Sequence, residues 1–199
     1  MEKKFKEKIN LMGLNKQDLE EFFISLDEKP FRATQIIKWI HQRGVSDISQ
    51  MTDLSKNLRE KLMDKCEIRV PEVVYEKISK DGTKKWVIKV GEKDLIEMVL
   101  IPEKNRSTLC VSSQVGCAVD CSFCATGKQG FSRNLGLDEI IGQVWVAANS
   151  FGLPREPNSR HITNVVMMGM GEPLLNFEPV VGAMNLMTDD NAYLSLIHI

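Results

Sequence analysis

Four of the five cysteines fall within residues 110–124, and three of them stand as Cys117-Ala-Val-Asp-Cys121-Ser-Phe-Cys124. Thiolates are soft ligands, suited to iron–sulfur clusters and to zinc. A cubane cluster presents four irons and is commonly held by four cysteines. A loop offering three thiolates leaves one iron corner open to a small molecule that chelates through an amine and a carboxylate. The methionine end of S-adenosylmethionine has that pair. An electron passed from such a cluster breaks the sulfonium carbon–sulfur bond and yields a deoxyadenosyl radical.

Two other chemistries use the same atoms. A structural zinc site wants four ligands, with Cys110 or His161 available as the fourth. A thioredoxin-type pair, Cys121 and Cys124, requires a different βαβ setting and leaves Cys117 unexplained. Crowded cysteines in a reducing cytosol argue for metal or redox chemistry over a disulfide framework. A second segment, Met168-Gly169-Met170-Gly171-Glu172-Pro173, follows an apolar run. Its glycines let backbone approach a ligand closely, and Glu172 beyond them can meet an ammonium group. A tight strand-to-helix turn would use the same residues.

The elements that must position these residues can be read from periodicity. Residues 1–70 read as helical. Asn15 is an N-cap with Asp18 in the first turn, and Leu19, Phe22, Phe23 and Leu26 follow at helical spacing. Pro30 is expected to break that run. A second helix carries Ile36, Ile37 and Ile40 and ends at Gly44. A third runs from about Ser55, with Leu58 and Leu62 on one face. Residues 71–104 change to a β pattern, with Val73–Ser79, Lys84–Val90 and Leu95–Ile101 split by Asp81-Gly82, a strong hairpin signal, and by residues 91–94. An antiparallel meander of three strands is expected. Its third strand puts Leu95, Glu97, Val99 and Ile101 on one face. A carboxylate among apolar neighbours stands at a sheet edge or serves chemistry; the residues alone favour the edge.

Residues 105–193 read as two βα units: a strand over Thr108–Ser112, the cysteine loop, a helix over Leu137–Ser150, a strand over His161–Met168 and a helix over Glu178–Met187. The near-continuous apolar run of the second strand suits a parallel strand covered on both faces. A full α/β barrel takes about 250 residues, about 30 per unit, so two units form only part of one. The fold class is therefore α/β: a truncated, partial (β/α) barrel preceded by a small helical accessory domain and a β-meander.

Composition sets outer limits. At 43% hydrophobic and 27% charged residues the chain is an ordinary globular one. The charged N-terminus, Met1-Glu2-Lys3-Lys4-Phe5-Lys6, lacks the apolar core of a secretory signal, and no apolar run is long enough to span a bilayer. The chain reads as cytoplasmic, without a membrane partner. Twenty-six basic against 27 acidic side chains, a net charge of -1, give no basic excess pointing to nucleic acid.

Over Ile101-Pro102, Thr108-Leu-Cys-Val-Ser-Ser-Gln-Val-Gly-Cys117, Phe123-Cys124, Gln129-Gly130-Phe131, Asn164-Val-Val-Met-Met-Gly-Met-Gly-Glu-Pro173 and Asp189-Asp-Asn-Ala-Tyr193, the sequence resembles the RlmN family of radical S-adenosylmethionine RNA methyltransferases and its relative Cfr. The resemblance begins in the N-terminal helices. It implies methylation of adenosine at C2, in 23S ribosomal RNA and beside the anticodon of tRNA, through a deoxyadenosyl radical and a methyl-cysteine intermediate. Cys117, Cys121 and Cys124 would bind a 4Fe–4S cluster, and Gly171 and Glu172 would contact S-adenosylmethionine. Glu97 would be the proton acceptor, which reverses the edge reading. Cys110 would be the resolving thiol, forming a disulfide bond as product leaves; otherwise it is a buried strand cysteine. The first helices would resemble an accessory RNA-binding domain. A monomer served by flavodoxin or ferredoxin as electron donor is expected.

The sequence departs from the family after Tyr193. No cysteine follows Cys124, so the methyl-carrying residue is absent, and residues 194–199 look like a non-native tail. The chain as given is expected not to turn over, and the strand edge left by two units to make it poorly soluble. The alternatives are a Cfr-like methyltransferase acting at C8 and a non-catalytic, zinc-containing RNA-binding module.

Overall fold

In the computed structural model, which describes residues 8–152 and 161–193, a short strand β1 (Ile9–Asn10) precedes three helices. These are α1 (Lys16–Ser25), α2 (Arg32–Ile37) and α3 (Lys56–Lys65), and β2 (Cys66–Glu67) then returns parallel to β1. Asn15 caps α1 as the sequence predicts: its side chain accepts the Asp18 N–H at 3.0 Å, and the Asp18 carboxylate accepts the Asn15 N–H at 3.3 Å. Ser55 caps α3 in the same way, through the Leu58 N–H. The chain leaves α1 at Ser25 and enters the left-handed region at Asp27 (φ 58), before Pro30 is reached. The proline therefore does not end this helix. Beyond α2 the helix continues as a π-helical turn over Lys38–Gln42.

The meander follows as β3 (Glu72–Ile78), β4 (Lys84–Val90) and β5 (Asp94–Pro102). β6 (Ser107–Cys110) then pairs antiparallel with β5, so the meander and the first barrel-type strand form one sheet. Next come a short hairpin of β7 (Gln114–Gly116) and β8 (Phe131–Asn134), helix α4 (Leu137–Asn149), strand β9 (Asn164–Val166) and helix α5 (Phe177–Thr188). The sheet order is β3-β4-β5-β6-β9, with β9 parallel to β6. The hairpin was not expected, and β9 is shorter than the apolar run around it. Its residues are only half-buried, because on the described part of the sheet β9 has a neighbour on one side only.

Alternation along β4 and β5 divides the sheet. Trp86, Ile88, Val90, Ile96, Met98 and Leu100 turn inward, while Lys85, Val87, Glu97 and Val99 turn to the open face. Helix α4 is buried all round from Ile140 to Val146 because it is packed from more than one side. Gln143 binds the sheet end at Ser112, and the Trp145 indole N–H donates to the Ile40 carbonyl at 2.9 Å. Gly142 lies where a side chain would meet Pro71. One contiguous apolar cluster thus runs from Leu11 to Ala192. Among the described residues no helix is long and apolar enough to cross a membrane. Residues 194–199, the expected non-native tail, lie outside the described residues.

Candidate functional site

Both parallel strands, β6 and β9, end on the same side of the sheet, and each runs into one of the segments singled out above. β6 continues through Val111, Ser112 and Ser113 to the β7–β8 hairpin, whose loop carries the three cysteines. Gly116 sits at the neck of that hairpin at φ 77, and the Cys117 N–H donates to the Gly130 carbonyl at 3.0 Å. Within the loop the Cys124 N–H closes a turn onto the Cys121 carbonyl at 3.0 Å. All three thiols are half-buried, and Phe123 between them is 90% exposed.

Among the described residues no three His, Cys, Asp or Glu side chains converge as a metal-ligand group, and all five cysteines are free thiols. The donor set still fits an iron–sulfur cluster: three thiols on one loop, with one biased toward thiolate. Backbone N–H groups of Gly127 and Thr126 point at Cys124 and hold its thiol below the ordinary cysteine range.

β9 runs into the glycine strap, Met168–Glu172, which is laid along the β6 extension by hydrogen bonds. Gly169 donates to the Val111 carbonyl at 3.0 Å, and the Ser113 and Gln114 N–H groups both donate to the Met170 carbonyl, at 2.8 and 3.1 Å. The Met170 N–H donates to the Ser112 hydroxyl at 2.8 Å. Glu172 follows, its carboxylate accepting the Leu174 N–H at 3.1 Å and so capping the 3₁₀ turn over Pro173–Asn176. Its role in the structure is thus a cap at the mouth of the strap.

Glu97 and Cys110 come together on the open face. β5 lies in the interior of the sheet, so Glu97 is not at an edge, and the edge reading drawn from the residues alone is corrected. It failed because β6 pairs with β5, a register that β5 itself does not encode. Val99 stands directly opposite Cys110, and Glu97 lies two residues before Val99 on the same face. Such diagonal neighbours are about 7–8 Å apart. The Glu97 carboxylate is paired with Lys85 Nζ at 2.7 Å, and its backbone carbonyl accepts the Ser112 hydroxyl at 2.7 Å. Partial burial raises the Cys110 thiol above its usual range, offset by the Met168 N–H.

The sequence reading missed a buried polar layer beneath the site. Ser112, Ser113, Gln114, Gln143 and Asn176 are all buried. Asn176 donates to both the Ser113 and Leu135 carbonyls at 2.8 Å, tying the start of α5 to the hairpin. One signal was available: Gln143 is the lone polar side chain in the apolar stretch from Ile140 to Ala148.

These environments predict an order of thiol reactivity. Near neutral pH, iodoacetamide should modify Cys124 before Cys110, because a lowered pKa leaves more thiolate and a raised one leaves less. Cys66, pushed up to about 11 by burial, should react last, as the pH approaches that value or the chain unfolds. Peptide mass spectrometry over time reads the order, and early labelling of Cys66 would contradict it.

The comparisons agree with this architecture. The fold matches that of a radical SAM methyltransferase from Sphaerobacter thermophilus, with a TM-score of 0.83 and 37% identity over 94% of this chain and 54% of that one. The fold is therefore of the α/β class and is similar to that of a radical SAM methyltransferase. Residues 9–68 match the ribosomal RNA large subunit methyltransferase N-terminal domain. The chain is 63% identical over 187 residues to the dual-specificity RNA methyltransferase RlmN of Marinobacter nauticus, covering 94% of this chain and 50% of the relative. It is 57% identical over 187 residues to the RlmN of Francisella tularensis subsp. novicida, with the same coverage of 94% and 50%. By sequence the chain is similar to RlmN proteins over 94% of its length, and it spans about half the length of the curated relatives it matches.

Proposed function

We propose that the chain carries the cluster-binding part of a radical S-adenosylmethionine RNA methyltransferase acting on adenosine C2 in 23S ribosomal RNA and in tRNA beside the anticodon. Support comes from its similarity to RlmN proteins and from one observation above others: the glycine strap is hydrogen-bonded to the segment that leads into the cysteine loop, at one end of two parallel strands, beside the face that carries Glu97 and Cys110. Active sites of α/β barrels sit at that end.

In this reading Cys117, Cys121 and Cys124 would hold a 4Fe–4S cluster, which with S-adenosylmethionine bound would supply a deoxyadenosyl radical. Gly171 lets the strap lie close to the cofactor, and Glu172 meets its ammonium group. Glu97 would remove the proton from adenine C2, and the neighbouring Cys110 thiolate would attack the sulfur of the family's methyl-carrying cysteine, so that the S–S bond forms as the S–C bond to the base-linked carbon breaks and that carbon takes the electron pair and a proton to become the methyl group. Residues 1–70 serve as an accessory unit contacting RNA, and residues 105–193 as the first two βα units of a partial barrel. A flavodoxin- or ferredoxin-type donor supplies the electron. Action at C2 rests on the resemblance to RlmN; methylation at C8, as in Cfr, is the alternative that product analysis would reveal.

Anaerobic reconstitution with iron and sulfide tests the metal assignment. A brown chain with about four irons is expected, and replacing Cys117, Cys121 or Cys124 by alanine should abolish that loading. A colourless chain holding one zinc would replace this reading with a structural metal module.

A further inference from the structure

We propose that Gln114 is a positioning residue that fixes the cysteine loop and the glycine strap relative to each other, and so sets the affinity for S-adenosylmethionine without holding the cluster. The inference rests on the reading above, that the strap receives that cofactor.

Gln114 is 1% exposed. Its carbonyl oxygen accepts the Glu172 N–H at 3.0 Å and the Ala118 N–H at 3.4 Å. Glu172 ends the strap, and Ala118 lies between two of the cysteines. One side-chain oxygen therefore joins both segments. The orientation of the amide is fixed independently. Asn134 donates through Nδ2 to the Leu175 carbonyl at 3.2 Å, which leaves its Oδ1 to accept Gln114 Nε2 at 2.9 Å. With Nε2 committed there, Oε1 must face the two N–H groups.

The contact is also steric. Gly171 lies at φ 94 directly on Gln114, and a Cβ on that glycine would fall 2.5 Å from the glutamine Cβ and 2.6 Å from its Cγ. The strap thus rests against the stem of Gln114 while the amide pins its last residue. The cysteine loop, by contrast, has its own closure in the β7–β8 hairpin. Loss of the Gln114 amide should therefore leave the thiols able to take up iron while Glu172 drifts. Residues that orient metal-site groups from behind typically change affinity by about 10- to 100-fold when replaced.

Gln114→Met retains the stem on which Gly171 lies and removes the acceptor. The test reconstitutes the wild-type and variant chains anaerobically, counts iron, records thermal unfolding, and measures S-adenosylmethionine binding by equilibrium dialysis. The reduced-cluster EPR signal with and without the cofactor gives a second readout. Equal iron and an unchanged melting profile with about tenfold or greater weakening of S-adenosylmethionine binding would support the role. Unchanged affinity would overturn it and leave the assignment of the site standing. Loss of iron in parallel would also overturn it, by showing that Gln114 supports the loop as a whole. An iron-loaded wild-type chain that does not bind S-adenosylmethionine would sink both the strap assignment and this inference. If Gln114→Met does not fold, Asn134→Ala, which frees the amide to turn, carries the same comparison with the same expected direction.

Discussion

The Gly116→Ala chain should lose its iron–sulfur loading although all three cysteines remain. Gly116 lies at φ 77, and a Cβ there would fall 1.9 Å from the Gly130 carbonyl oxygen and 2.9 Å from its carbonyl carbon. Both obstructing atoms are backbone, so no rotamer change relieves the clash. That carbonyl is the acceptor for the Cys117 N–H, so moving it opens the neck of the loop at its first cysteine. Strain at a left-handed position and overpacking together amount to roughly 2–6 kcal/mol. Gly130→Ala is the comparison within the same neck. Its backbone is also at φ 77, but a Cβ would meet nothing within 4 Å, so only the conformational strain applies, about 1–3 kcal/mol. Iron content after reconstitution and denaturant unfolding separate the two. Wild-type loading of Gly116→Ala would show that closure of the neck is not needed to assemble the site.

The contrast between these glycines marks the limit of the sequence. The spacing of Cys117, Cys121 and Cys124 is local, and so is the chemistry it implies. The Asp81-Gly82 turn and the alternation around it are local too, which is why the meander and its faces were legible. The closure of the cysteine loop was not. Gln114–Gly116 is too short and too polar to read as a strand, and it becomes one only against Phe131–Asn134. Glu97 shows the same division. Alternation assigned its face correctly, but whether β5 was edge or interior depended on pairing with β6. The Cys110 neighbourhood likewise required the register of β5 on β6. Buried polar residues were the most thoroughly hidden. Ser112, Ser113 and Gln114 follow a strand and precede cysteines, a context that reads as exposed loop until the strap is laid across them.

Gln143→Leu tests how much that hidden layer contributes, and about 3 kcal/mol of destabilisation is expected. Gln143 is fully buried in α4; its Oε1 accepts the Ser112 N–H at 2.7 Å and its Nε2 donates to the Ser112 carbonyl at 2.9 Å. Leucine has nearly the same volume and adds apolar burial, so a packing account alone predicts a neutral or stabilising change. The polar account predicts the opposite. Two buried backbone groups on Ser112 would lose their partner, at about 1–3 kcal/mol each, and the apolar gain offsets only part of that. For a chain of this size the shift in thermal midpoint should be about 6–12 °C downward. Gln17→Leu, on the exposed face of α1, supplies the baseline and should stay within about 0.5 kcal/mol. The consequence reaches the site because Ser112 does not act alone. Its hydroxyl holds the Glu97 carbonyl on one side and the Met170 N–H on the other, so one side chain on α4 steadies both the strand of the proposed base and the strap of the proposed cofactor. A Gln143→Leu chain as stable as wild type would mean that Ser112 is held well enough by the strap itself, and the helix would lose its place in the positioning of the site.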